Sequence, residues 1–586
     1  MKLAIAYSLF CALAFGAVTA RGADDSVARL HALYDSTRER MLRAEPRSAT
    51  ADGDKRFNTQ WPDWSPSALQ NFTRDNVAAL DELLKIPSDG LSSVEQLNRE
   101  IFHRWLQSQI DWFRFGAHER PLNQLNYSGS VLTANETAAV IAFESRRDYE
   151  DWTERLKGVG TFVDQTILRM REGLKHKNTN PKQIMQRTRT QLQAQIVDDP
   201  ERSPFFEPFK QFPANMTPSE RGQVIGRARI AIRDSVVPAF RRLDTFLVKE
   251  YLPKCRDSIG LWDSPNGTDY YKNLIALYTS TSLTADQIHD IGLKEIERIR
   301  GEMRAIADQT GFRGSLSEFF VRLRTDPRFK ITNAEELLRA YQVEAKRIDP
   351  LLPKLFGKLP RTPFGVRAIP AASAPDTTSA YYQAGSIDGR RPGYLTVNLY
   401  KPEERPTYEI PALTLHEAIP GHHLQISIAL ELGELPKFRR QFNATAFTEG
   451  WALYAESLGD ELGVLGDPYD KFGQLTFDMW RALRLVIDTG IHYKHWNREQ
   501  ALALFKANTA KSDLEIENEV DRYIAWPGQA LAYKIGQLKI RELRTLAENQ
   551  LGSRFDVREF HDVVLGSGAI PLDVLEQNIR AWLSTK

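Results

Sequence analysis

The sequence predicts a mainly α-helical fold with one small β-hairpin beside the helix that carries a histidine cluster. Three observations lead there. Helical periodicity with capping signals recurs from residue 25 to about 350. A single region, 381–399, alternates in the manner of strands. Beyond it the chain reads as helix to the end.

Taken in order, an amphipathic stretch led by Ser145 runs to about Lys177. Thr284 and Gln287 have capping-box spacing, and the helix they open runs from Ala285 to about Ala307. A further helix spans Asn333 to about Asp349, capped by Thr332 or Asn333 and stopped by Pro350. The Pro-rich run from Pro360 to Pro375 is the best candidate boundary. It separates a helical N-terminal half, 21–359, from a second half, 360–586, as parts of one integrated domain. Tyr381–Ser386 and Gly393–Leu399 flank the polar turn Asp388–Pro392 and predict a hairpin. Pro411 then suits the first turn of the following helix.

Bulk properties narrow the function. Apolar residues make up 42% and charged residues 26%, with a net charge of +1, so no electrostatic signal points to nucleic acid or an anionic membrane. Lys2, the apolar run Leu3–Val18 and the small residues Val18, Thr19 and Ala20 read as a secretory signal cut near Ala20, which implies a secreted or periplasmic protein. Cys11 lies inside the apolar run after Ser8, Leu9 and Phe10, a poor match to a lipid-anchoring site. No other run approaches the ~18 apolar residues of a membrane span. Only Cys255 is left after cleavage, so no internal disulfide forms.

The chemistry concentrates at His416, Glu417, Pro420, Gly421, His422 and His423, with Glu449 downstream. Three of eleven histidines fall within eight residues of an otherwise apolar helix. A buried histidine without a partner costs stability, and a metal satisfies it. Two imidazoles, a distal carboxylate and a Glu beside the first His are what a helical zinc-hydrolase site needs. The spacing departs from H-E-x-x-H because Pro420 stands where the second His belongs. In a continuous helix His423 shares the His416 face to within about 20° but sits about 10 Å further along the axis. A bulge absorbing two residues returns His422 to the i+4 place. Both ligand choices stay open.

Around this cluster, Glu456 suits the orientation of a ligand imidazole, against the plainer reading of a solvated helix-face carboxylate. Arg484, Asp488 and His492 recur every four residues, either as an ion-pair ladder or with Asp488–His492 as a pair near substrate.

The run His416–Gln425 with Thr448-Glu449-Gly450-Trp451-Ala452 resembles the bacterial DUF885 proteins over most of the mature chain. Over about 380–535 it is also similar to the angiotensin-converting-enzyme family of helical gluzincin peptidases. Leu435-Pro436-Lys437-Phe438-Arg439-Arg440 and Glu449 follow in that family's order. The resemblance implies a large helical zincin-like fold, with strand beside the active-site helix and a deep substrate groove. It implies one Zn2+ held by His416, His422 or His423, and Glu449, with Glu417 activating the zinc-bound water. Val520-Asp521-Arg522-Tyr523 is similar to that family's late Arg-Tyr pair, which makes Tyr523 the oxyanion donor beside Arg522. Tyr533 and Lys534 are weaker candidates for gripping a substrate carboxylate, and the strand at 394–399 would pair with an extended peptide. The expected function is an exported zinc metallopeptidase of short peptides. A zinc hydrolase of another amide or ester and a non-catalytic binding protein are the alternatives.

Overall fold

A computed structural model describes residues 25–586 except 126–128, 372–373, 375–377, 387–390, 434 and 441. The signal segment, Cys11 and the cleavage point near Ala20 lie outside the described residues, as does most of the turn at 388–392. The fold is mainly α-helical with one three-stranded sheet. Among the described residues no helix is long and apolar enough to cross a membrane.

The chain forms two compact units. One runs to Ser258 and adds Asp263–Asn266 and Pro436–Gln441; the other holds Ile259–Trp262, Gly267–Leu435 and Phe442–Lys586. The boundary expected at 359/360 is thus corrected. The Pro-rich run lies inside the second unit because it contains a strand of that unit's sheet.

Principal elements are numbered in chain order. In the first unit, α1 (Pro66–Leu84) and α2 (Ser93–Arg114) are each opened by a serine hydroxyl, of Ser65 and Ser92, accepting a backbone N–H. The stretch expected from Ser145 to Lys177 divides at Gly158 into α3 (Arg146–Lys157) and α4 (Val159–Lys175). With α5 (Pro218–Ala231) and α6 (Val237–Phe246), they enclose an aromatic core that includes Trp152, Phe162, Phe205 and Phe240. Phe438, from the Pro436–Gln441 insertion, is fully buried against Tyr34, Phe102 and Trp105. Arg439 beside it donates to Asn98 Oδ1 at 2.9 Å.

In the second unit, α7 (Ala285–Gln309) forms with the expected Thr284/Gln287 capping box. In α8 (Ala334–Ile348) the cap is Asn333, which accepts from the N–H groups of Glu335 and Glu336. Strands β1 (Phe364–Ala368), β2 (Ala380–Gln383) and β3 (Gly393–Val397) pair in the order β1-β3-β2, with β1 parallel and β2 antiparallel to β3. The hairpin is therefore present, and β1 is an addition to it. Because β3 is hydrogen-bonded on both sides, it cannot pair with a substrate peptide, which corrects that expectation.

The site-bearing helices are α9 (Ile410–Glu417), α10 (His422–Glu431), α11 (Thr445–Ser457), α12 (Pro468–His492), α13 (Asp513–Ala525) and α14 (Ala532–Leu551). Nearly every residue of α12 from Phe472 onward is buried, so it is a central helix packed all round. Helices α11 and α14 approach through paired glycines: a Cβ added to Gly450 would overlap Gly536, and one on Gly536 would overlap the Ala446 carbonyl. That contact sets the position of Glu449.

Candidate metal centre

The motif is neither a continuous helix nor one helix with a bulge. Helix α9 ends at Glu417, Ala418 (φ −106°, ψ −98°) and Gly421 (φ −74°, ψ −129°) leave helical geometry, and α10 begins at His422. The Ile419–Pro420 peptide is cis. Pro420 has no N–H to give the α9 ladder, so the helix stops before it. Gly421 has no substitute: a Cβ there would overlap the carbonyl oxygens of His416 and Leu415. The Trp451 indole of α11 donates to the Pro420 carbonyl at 2.9 Å and holds the break against the next helix.

This break groups His416, His422 and Glu449. One ligand atom from each lies within 4.8 Å of the others. His416 Nε2 is 3.9 Å and His422 Nε2 is 3.5 Å from Glu449 Oε2, with the two rings nearly perpendicular at 86°. Donors about 2.0–2.1 Å from a tetrahedral zinc stand roughly 3.4 Å apart, so the set is slightly wider than a loaded site. Three protein ligands of this kind fit a catalytic zinc, and the buried His422 Nδ1 has no hydrogen-bond partner. His423 turns the other way. Its Nδ1 meets Tyr382 Oη at 2.9 Å and Ser427 Oγ at 3.2 Å, and its ring packs on Phe364.

Neighbouring groups complete the electrostatics. Glu456 Oε1 lies 2.8 Å from His416 Nδ1, a contact that ties down the Nδ1 side of the ring and leaves Nε2 on the side of Glu449. Burial, with the positive Arg481 adding, holds His416 well below the usual histidine range and therefore neutral. Burial lifts Glu456 to about 8 against the pull of Arg481. Burial also lifts Glu417 to about 7; Glu449's charge adds to this, while His422 and a backbone N–H bond from Tyr382 oppose it. Burial disfavours the charges of His422 and Glu449, yet their pairing outweighs it, raising the first and lowering the second.

Other expected residues have different partners. Tyr523 is fully buried; its oxygen accepts from Trp480 Nε1 at 3.0 Å and Arg484 Nε at 3.2 Å, and its proton goes to Glu519. With its donor committed, it does not face a substrate, which corrects the oxyanion assignment. Arg522 donates to the Glu519 carboxylate and to the side-chain oxygen Oε1 of Gln529. His492 accepts from Leu261 N–H at Nδ1 and donates from Nε2 to the Tyr523 carbonyl, so it fixes backbone rather than contacting substrate. Neither the Arg484–Asp488–His492 ladder nor an Asp488–His492 pair forms. On so buried a helix each side chain takes a partner on another element: Asp488 accepts from Tyr271 and Gly528, and Arg484 pairs with Glu519. Lys534 is fully buried between Asp478 and Glu295 and cannot grip a substrate.

Tyr533 is only partly buried, and its oxygen accepts from Gln529 Nε2 at 3.4 Å. Burial and the nearby Glu449 charge push it up to about 12, so it stays a protonated donor. Sequence reasoning overlooked Arg481, Trp451 and Tyr382. A charged residue inside the apolar run of α12 is the one signal that could have flagged Arg481.

The comparisons agree with this architecture. The crystal structure of a "putative lipoprotein" from Colwellia psychrerythraea is 28% identical, with a TM-score of 0.89 over 96% of this chain and 100% of that one. A second, from Shewanella oneidensis and described as of unknown function, is 18% identical and shares the fold, with a TM-score of 0.72 over 93% of this chain and 98% of that one. No curated protein matches. The family model described as "Bacterial protein of unknown function (DUF885)" matches residues 46–579, and on that match the chain belongs to the DUF885 family.

Proposed function

We propose that the chain is an exported zinc-dependent metallopeptidase of short peptides, acting after removal of a leader near Ala20. The observation that carries this reading is the convergence of His416 Nε2, His422 Nε2 and a Glu449 oxygen within 4.8 Å, with Glu417 beside them. The similarity of the motif to the helical gluzincin peptidases supports the same class.

Zinc held by these three side chains supplies a Lewis acid and a water of lowered pKa. Glu417 takes the proton of the attacking water and returns it to the leaving amine. A carboxylate next to the first ligand histidine is placed for both transfers. Glu456 holds the His416 imidazole on its Nδ1 side, which keeps Nε2 directed at the metal. Tyr533 replaces Tyr523 as the donor to the oxygen that gains charge.

The test is chelator-sensitive hydrolysis of a short-peptide library by the zinc-loaded protein. Glu417→Ala should retain zinc and lose cleavage. Metal-free protein from zinc-supplemented medium, with no chelator-sensitive cleavage of any peptide, amide or ester, would contradict the reading.

A further inference from the structure

One edge of the small sheet borders a cavity that none of the three metal ligands lines, and all of it lies in the second unit. In the order β1-β3-β2, strand β1 has a neighbouring strand on one side only. Gly393 N–H donates to the Pro363 carbonyl at 3.0 Å and Ile369 N–H to the Val397 carbonyl at 2.8 Å, which sets the odd-numbered residues against β3. By alternation Phe364 and Val366 aim their backbone N–H and C=O groups the other way. There the Val366 carbonyl accepts from Gln342 Nε2 of α8, a long contact at 3.5 Å. Between this edge and α8 is a cavity of about 440 Å³, walled by Gln342, Ala345 and Lys346 on the helix and by Phe364 and Val366 on the strand. The buried Ile419 and His423 close its inner end, and Phe364 packs on the His423 ring with centroids 4.6 Å apart. Exposed Leu359 and half-buried Phe364 and Val366 make the lining largely apolar. Lys346 and Arg361 stand in that lining with Asp349, two positive charges against one negative. Each cation sits in an ion pair open to solvent, Lys346 with Asp349 at 2.8 Å and Arg361 with Glu431 at 3.3 Å, a kind of pair that yields readily to a competing carboxylate.

We propose that the cavity between β1 and α8 docks an extended, acidic peptide segment of a partner polypeptide, which adds to β1 as a further strand. An edge strand beside a helix offers what such a segment needs: main-chain groups at strand spacing and an apolar groove for alternate side chains. The five residues of β1 cover about 16 Å at ~3.3 Å each, room for four or five residues of extended chain. The preference for acidic segments follows from Lys346 and Arg361 on opposite walls, one on the helix and one ahead of the strand. Gln342 gives up the Val366 carbonyl to an N–H of the incoming chain. Because no metal ligand lines the cavity, docking needs neither zinc nor turnover and stands apart from the peptidase reading.

The experiment follows the fluorescence anisotropy of a labelled pentapeptide, acetyl-VDVEV-amide, on the full mature chain with a chelator present throughout. Saturable binding is expected, with hydrogen exchange slowed over residues 361–368. The same peptide N-methylated along its backbone, which keeps the charges and removes the donors, should bind about tenfold more weakly or worse. Lys346→Glu combined with Arg361→Glu, both exposed side chains, should weaken the acidic peptide by a similar factor at unchanged Tm. Val366→Pro removes an outward N–H and spares the bonds to β3, so it should weaken binding as well. If that variant does not fold, the N-methylated peptide on wild type tests the same main-chain pairing. Absence of binding, equal binding of the N-methylated peptide, or slowed exchange confined to residues outside 361–368 overturns the proposal. Displacement by N-acetylaspartate as effective as by unlabelled pentapeptide would mark a simple anion site and overturn it too.

Discussion

Glu456 and Glu417 are neighbouring carboxylates, both raised by burial, whose partners differ. Glu456 is committed to His416 Nδ1, so Glu456→Ala should weaken zinc binding about 10- to 100-fold, measured by chelator competition. Tyr533 and Tyr523 differ in the same way. Tyr533→Phe should lower kcat by roughly 100- to 1,000-fold with zinc content unchanged, as loss of an oxyanion donor does. Tyr523→Phe should instead cost roughly 1–3 kcal/mol of stability, because it leaves Trp480, Arg484 and Glu519 short of a partner. Equal kinetic effects from the two would refute the reassignment. His416, Glu417, Glu449 and Glu456 were legible from residue type and order. The identity of the donor tyrosine was not, since two tyrosines ten positions apart differ only in what tertiary packing leaves their hydroxyls to do.

At the scale of elements, capping signals read well because they are local. Thr284 with Gln287, Asn333 and Pro411 each mark a helix start that forms. Two features escaped. Strand β1 is five residues with a glycine inside and prolines nearby, and its pairing with β3 comes from the sheet rather than its own pattern. The break at 418–421 depends on Trp451 and on the close pass of Gly421 under the His416 carbonyl, neither visible in spacing. Gly421→Ala should therefore drive the two histidines apart and abolish stoichiometric zinc, with far-UV circular dichroism nearly unchanged. Gly536→Ala, which would push α14 off α11, should lower both Tm and zinc occupancy. Retained zinc in both variants would show that the glycines do not set the site.

For the molecule as a whole, the division into units was misread because composition marks Pro-rich runs, whereas Pro436–Gln441 joins the first unit from far along the chain. Stability links to pH through Glu519 in the second unit. Burial alone would raise its pKa, but Arg522 and Arg484 outweigh that and hold it at about 2. A depressed carboxylate pKa stabilises the fold above the unfolded value near 4.5, and the contribution is lost as pH falls toward 2. Roughly 3 kcal/mol is involved at neutral pH. The Tm gap between wild type and Glu519→Gln should thus narrow steadily from pH 5 to pH 3. A gap that stays constant would contradict the pairing.

The central claim, that the helix break selects His422 over His423 for the metal, is tested most directly by zinc stoichiometry. Plasma emission on purified wild type, His416→Ala, His422→Ala, His423→Ala and Glu449→Ala gives it side by side. The account predicts about one zinc in wild type and His423→Ala and loss in the other three. Zinc lost with His423→Ala but kept with His422→Ala would contradict it.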